Sequence, residues 1–292
     1  MAKQNADRQE ARKNMMLNEP INRVIPRMAL PTIVSFIITA IYSLTDTFFV
    51  SSLGTNATAA VSVNASLDQI IMMAGSMLAV GATSYISRLL GAKRDREASE
   101  TLSTAFFIAL VFGAAVMVLG IAFMEPLVRI LGATDTCLQY SIDYATYILL
   151  VAPFMASNFV MNQCLRGEGS ATFSMIGMGI GNILNCILDP IFIFNLGLGV
   201  AGASMATAIS KLVSFVILIT PYVFKRTLLR LSVRNFRPTR EMMRQIVSVG
   251  SSSLLRNGLA ILSAVATKKR STLSITAVAC GSQNTPRLTI SL

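Results

Sequence analysis

The sequence predicts an all-α polytopic membrane protein, a six-helix bundle followed by an incomplete seventh helix. Three observations carry that reading. Of 292 residues, 53% are hydrophobic and only 13% charged, whereas ordinary soluble domains carry about 25% charged residues. The apolar residues gather into runs long enough to cross a hydrocarbon core. The basic residues, which give a net charge of +11, fall in short loops between those runs. No basic patch interleaved with aromatics is present, so nucleic acid is not expected as a partner.

The elements follow in order. Residues 1–23 form a polar, basic segment with no apolar core of a cleavable signal. The first span covers residues 28–50, with Pro31 near its start and Asp46 near its end, and Leu53-Gly54-Thr55-Asn56 turns the chain. The second, residues 57–87, carries Asn64 and Asp68 and ends in the basic loop 91–97. Residues 103–123 are a clean uncharged run, and 125–133 read as an interfacial turn. The fourth span, 144–165, contains Pro153 and Asn158 and ends at Arg166-Gly167-Glu168-Gly169. The fifth is the apolar run 171–194, and the sixth, 200–224, is rich in small residues and carries Thr207 and Lys211. A basic loop at 225–244, a partial seventh helix at 245–267 interrupted by Arg256, and an atypical polar tail at 268–292 complete the chain. Residues 24–224 thus form the transmembrane lobe.

Six alternating spans put the N-terminal segment, the 91–97 loop, Arg166 and the 225–244 loop on one side, with only Arg129 opposite. By the positive-inside rule the N-terminus is cytoplasmic, as in a multi-pass protein of a bacterial inner membrane.

The chemistry concentrates in the fifth span. Asn182, Asn185 and Asp189 are spaced three and four apart and fall on one helix face. A carboxylate at such depth costs roughly 2.5–3.5 kcal/mol on insertion scales, needs a partner, and marks an ion or substrate path. The bland reading is a polar contact between helices. Pro190 lacks a backbone donor, which frees the carbonyl near Cys186 and allows a bend. Asp46 and Asp189 each stand eight residues before a glycine, Gly54 and Gly197, ahead of an Ala-rich span. Spans one and five run in the same direction, so the two acids lie at similar depth. Two carboxylates sharing one cavity do not both ionise cheaply, so the pair can carry a proton. Alternatively, Asp46, Asn185, Asp189 and Thr207 offer hard oxygen ligands for sodium. Tyr42, one turn before Asp46, can donate to it. Lys211 is a counter-charge for the acids or a snorkelling side chain, and Asp68 belongs to the same pocket or to an outer vestibule.

Other features exclude function classes. Histidine is absent, which removes His-based triads, metal sites and proton relays. Cys137, Cys164, Cys186 and Cys280 form no C-x-x-C pair and read as packing residues. Gly177-Met178-Gly179-Ile180-Gly181 has no strand before it, so Gly177 and Gly181 read as a close-packing GxxxG pair. Methionines such as Met72, Met73, Met77, Met155 and Met161 fill the core, and a few can line an adaptable pocket. No P-loop is present, so active transport has to run on an ion gradient or on a partner's ATPase. Neither a nucleophile–base pair nor a metal set can be assembled, so an enzyme and a resident cofactor are not expected.

The chain resembles the multidrug and toxic compound extrusion (MATE) family, especially its DinF-like bacterial branch. The resemblance rests on Pro31, Tyr42-x-x-x-Asp46, Leu53-Gly54, Ser87-Arg88-Leu89-Leu90-Gly91-Ala92-Lys93 and Arg166-Gly167-x-Gly169. It continues in Asn182-x-x-Asn185-x-x-x-Asp189-Pro190 and Gly202-Ala203-x-x-Ala206-Thr207 and covers about residues 15–260. It implies one six-helix lobe of a two-lobed antiporter that exports cationic or amphipathic small molecules against protons or sodium ions. It further implies a cation site on Asp46, Asn185, Asp189 and Thr207, with Tyr42 and Asn158 alongside; Asn182, Lys211 and Asp68 are pocket candidates. The tail from about residue 267 matches no segment of the family, so the C-terminus reads as truncated or frameshifted. Export would then need a second copy or a separate C-lobe. A non-transporting membrane fragment and a lipid-linked saccharide flippase are the competing expectations.

Overall fold

The computed structural model describes residues 19–224 and 226–259. The chain divides into two compact units, Met1–Leu254 and Leu255–Leu292. In the first, six helices are long and apolar enough to cross a membrane. They are α1 (Ile21–Ser51), α2 (Thr55–Gly91), α3 (Asp95–Ala122), α5 (Leu138–Gly167), α6 (Ala171–Pro190) and α7 (Gly199–Val223), with a short α4 (Met124–Ile130) between α3 and α5. Residues 240–254 are also helical. In the second unit, residues 255–259 are helical. Cys280 and the tail expected at 268–292 lie outside the described residues.

Several boundaries differ from the hydropathy reading, for one physical reason. Polar turns of α2, α3 and α5 extend beyond the hydrocarbon, so the helices outrun their apolar runs. The turn expected at 125–133 is a helix over Met124–Ile130, closed by Arg129 bonding both Glu125 (3.0 Å) and Asp135 (2.8 Å). Those two carboxylates hold the Arg129 guanidinium above its usual range, Asp135 contributing most. The last described helix begins at residue 240, inside the segment expected as a basic loop. Arginines there do not oppose helix formation, and Pro238-Thr239 just ahead supply an extended entry.

The most deeply buried helix is α5, which packs against α2, α3 and α7, while α1 is the least covered and lies mainly on α6. Small residues allow close approach. Gly113 faces the backbone of Ala152 and Pro153, and a side chain at Gly181 would run into Ser214. Gly177 meets Leu218, and the Ser214 hydroxyl donates to the Gly177 carbonyl at 3.1 Å. The expected GxxxG pair therefore seats α6 on α7. Pro190 is accommodated as the last residue of α6, and the disruption it causes appears one step later, as a π-turn over Ile191–Asn195. The two expected turn glycines, Gly54 (φ 105°) and Gly197 (φ 67°), both take left-handed backbone, which a side chain would strain.

The segment after α7, residues 226–239, returns along the start of α3. Its backbone N–H groups donate to side chains: Leu229 to Glu168 Oε2 (3.2 Å), Arg230 to Ser99 Oγ (3.2 Å), Ser232 to Ser103 Oγ (3.3 Å) and Arg237 to Thr104 Oγ1 (3.3 Å). These bonds bring the start of α3, the end of α5 and the strap to one end of the bundle.

Candidate functional site

The polar face of α6 turns inward as its spacing predicts. Asn182, Asn185 and Asp189 are buried, while Ile183 and Ile187 on the opposite side are more than half exposed. An intramembrane amide and carboxylate survive there only by finding partners, and α7 supplies one. The Asn185 side chain lies 3.1 Å from the Thr207 hydroxyl. In the orientation that satisfies both ends of the amide, its Nδ2 donates to Asp189 Oδ2 at 2.8 Å. Its Oδ1 then accepts from the Thr207 hydroxyl and backbone N–H, both at 3.1 Å. Asp189 is fully buried, and its Oδ1 has no hydrogen-bond partner.

Asp46 comes to this network from α1. It is half-buried, its Oδ1 also lacks a partner, and its charge acts on both Asp189 and Lys211. The four residues expected to form one set are thus arranged as a bonded trio with Asp46 facing it. Tyr42 lines the cavity together with Thr207, and Asp46, Asp68 and Asp189 all act on its phenol.

Beside this network lies a cavity of about 320 Å³ lined by Tyr42, Asp68, Asn158, Asn182, Thr207 and Lys211 among others. Asp68 therefore belongs to the pocket. Lys211 interacts with Asp68 first and Asp46 second, and its Nζ stands 5.4 Å from the centre of the Tyr42 ring. It lines the cavity with Asp68 and forms no ion pair within 4.0 Å among the described residues. Asn158 donates to the Lys211 carbonyl at 2.9 Å, tying α5 to α7, and Asn182 donates to Thr39 Oγ1 at 2.9 Å, tying α6 to α1.

Met72 and Met155 line the cavity, as an adaptable pocket requires, whereas Met161 is core. Thr39, Met178 and Phe159 also line it and had escaped sequence reasoning. Thr39 and Met178 carried no signal, since threonine and methionine are common in apolar helices. Cys137 and Cys164 are buried free thiols, in keeping with packing roles. No group of three or more His, Cys, Asp or Glu able to hold a metal exists among the described residues.

The MatE family profile matches residues 31–191. A "Multidrug export protein MepA" from Staphylococcus haemolyticus (strain JCSC1435) is 32% identical over 236 residues, covering 80% of this chain and 52% of that protein. A solved structure described as a MOP superfamily transporter from Pyrococcus furiosus with reversed binding-pocket polarity superposes with a TM-score of 0.78 at 32% identity. It covers 83% of this chain and 54% of its own. A second, described as the outward-facing conformation of a multidrug resistance MATE family transporter, gives the same TM-score, identity and coverage. The chain spans about half the length of these relatives.

Proposed function

The chain belongs to the MatE family, and from that premise we propose that it forms one lobe of an ion-coupled exporter of cationic or amphipathic small molecules. Asp46, Asn185, Asp189 and Thr207 handle the coupling ion, and the cavity beside them holds the exported compound. The observation that carries this reading is Asp189: fully buried, held by Asn185 on one oxygen and unpartnered on the other. A buried carboxylate with a spare oxygen is expensive unless a cation or proton visits it.

The arrangement suits a proton as it stands. Asp46, Asp68 and Asp189 each keep one carboxylate oxygen without a partner, and neighbouring carboxylates share one proton readily. Sodium, a hard cation, would have to draw Asn185 Oδ1 away from Thr207 to complete an oxygen shell. When the ion enters, the acids lose net charge and release a cationic compound from the cavity; when it leaves, they attract the next. The protein's own groups do the positioning. Thr207 sets the Asn185 amide, the amide sets Asp189, and Lys211 balances Asp68.

The basic ends near Arg94 and the strap face the cytoplasm under the positive-inside rule, in the cytoplasmic membrane. The opposite wall of the path comes from a second lobe, either a C-terminal one or another copy of this chain, and transport proceeds by the lobes rocking about the site. Fluorescent-cation efflux from vesicles carrying this chain, under imposed proton or sodium gradients, tests the reading. Gradient-driven efflux that is lost in both D46N and D189N supports it. Full coupled efflux in both variants would overturn it.

A further inference from the structure

The strap after α7 carries more charge than a connection needs. Arg230, Arg234, Arg237 and Arg240 are all exposed, and none has a carboxylate partner among the described residues. Between them, Val233 and Phe236 are also exposed, at 73% and 43%. A solvated loop gains nothing from presenting a valine and a phenylalanine to water. Their position explains them.

The strap is pinned to α3 at a defined depth. Ser99, Ser103 and Thr104 take its backbone N–H groups, and one turn further along α3 the polar residues give way to the uncharged run. There the Phe236 ring packs edge-on against Phe107, with centroids 6.1 Å apart. The strap therefore sits where the polar start of α3 meets its apolar run, a position that would fall at the boundary between headgroups and hydrocarbon. Amphipathic residues favour that boundary.

Below the strap, a groove of about 570 Å³ is lined by Phe107, Val111, Phe112 and Ala115 of α3 and by Val233 and Phe236. Its lining is apolar, and it opens on the bilayer-facing side of α3, where Val111 is 68% exposed. A peptide or nucleic acid cannot reach that depth, whereas an acyl chain is already there. What separates this groove from any other lipid-covered surface is that two of its lining residues, Val233 and Phe236, are each followed in the chain by an exposed arginine, Arg234 and Arg237, with no carboxylate partner among the described residues. Guanidinium groups pair with phosphate in bidentate fashion, and basic pockets at the cytoplasmic face select anionic headgroups.

We propose that the strap and the adjoining face of α3 form a binding site for an anionic phospholipid. Arg234 and Arg237 hold the headgroup phosphate, and an acyl chain lies in the groove under Phe236. This site is independent of the cation network on α6 and α7 and rests only on the six helices spanning the membrane.

The chain contains no tryptophan, which gives a clean test. F112W places a single emitter in the groove, and F48W places one on the lipid-exposed side of α1. Each is reconstituted in phosphatidylcholine with increasing mole fractions of brominated phosphatidylglycerol or brominated phosphatidylcholine. At F112W, the anionic quencher should act at several-fold lower mole fraction than the zwitterionic one, and at F48W the two should match. R234Q/R237Q in the F112W background should erase the preference, and R234K/R237K should retain most of it. As a second readout, native mass spectrometry of the tryptophan-free protein should show retained phosphatidylglycerol, lost in R234Q/R237Q. Equal quenching by both lipids at F112W, or a preference that survives R234Q/R237Q, would overturn the site.

Discussion

Lys211 stands over the face of the Tyr42 ring, its Nζ 5.4 Å from the ring centre, with Asp68 and Asp46 as its charge partners. The cavity thus contains its own cation, over an aromatic face and within the field of two acids. An incoming cationic compound competes with Lys211 for the same groups. Replacing Lys211 with methionine removes that competitor while keeping the apolar stem. At ~10 Å and an effective dielectric of ~20, the removed repulsion is ~1–2 kcal/mol, so cation affinity should rise about tenfold. Titration with a fluorescent cation should show this gain for K211M and a loss for D68N. Unchanged affinity in both would dissociate the cavity from cation binding.

Asn185 is the second target. N185A removes the donor to Asp189 Oδ2 and the acceptor for Thr207, leaving buried polar groups unpaired. The cost should be about 1–3 kcal/mol of stability. Denaturant or thermal unfolding in detergent measures it, and N185D, which keeps the shape but adds a charge beside Asp189, should be at least as damaging.

The packing of α6 on α7 makes a paired prediction. Gly181 faces Ser214 and the Ser210 carbonyl, whereas Gly91 at the end of α2 faces open space. G181A should destabilise by about 1–3 kcal/mol through overpacking. G91A should be neutral or stabilise by about 0.5–1 kcal/mol, because alanine restricts the unfolded chain and suits a helix. Comparable losses in both would contradict the close contact.

Orientation can be tested directly. With the four native cysteines replaced by alanine, R94C in the loop before α3 and D135C after α4 lie at opposite ends of the bundle. A membrane-impermeant maleimide added to intact cells should label D135C and spare R94C until the cells are opened. The reverse pattern would invert the assigned topology.

Much of this was legible in the chain because a bilayer simplifies the grammar. Apolar length gave the spans, and the spacing of Asn182, Asn185 and Asp189 gave a buried face, since both depend on local sequence alone. Long-range partners were harder. Nothing in the sequence tells Asn182 to choose Thr39 or Asn185 to choose Thr207, because those pairings depend on how α6 leans on α1 and α7. Asn158 was marked as polar and deep, but its bond to the Lys211 carbonyl comes from another helix. Helix ends also failed to show, as the polar turns of α2 and α5 carry no hydropathy signal. The strap was read as charge, and its depth emerged only from the serines and threonine of α3 that hold it.

A carboxamide has a donor at one end and an acceptor at the other, and Asn185 has one end on Asp189 and the other on Thr207. That makes it a swivel. While Asp189 carries negative charge, the NH₂ end must face it and the oxygen must take both donors of Thr207. A proton on the free Oδ1 leaves the amide's hydrogen bond in place; if it passes to Oδ2, that acceptor becomes a donor, and the amide would satisfy it by a half-turn that presents its oxygen instead. Thr207 would lose an acceptor in the same movement, and its hydroxyl would have to accept where it had donated. Under the proposed coupling, occupancy on α6 would thereby be written into the hydrogen bonding of α7 without either helix having to move first.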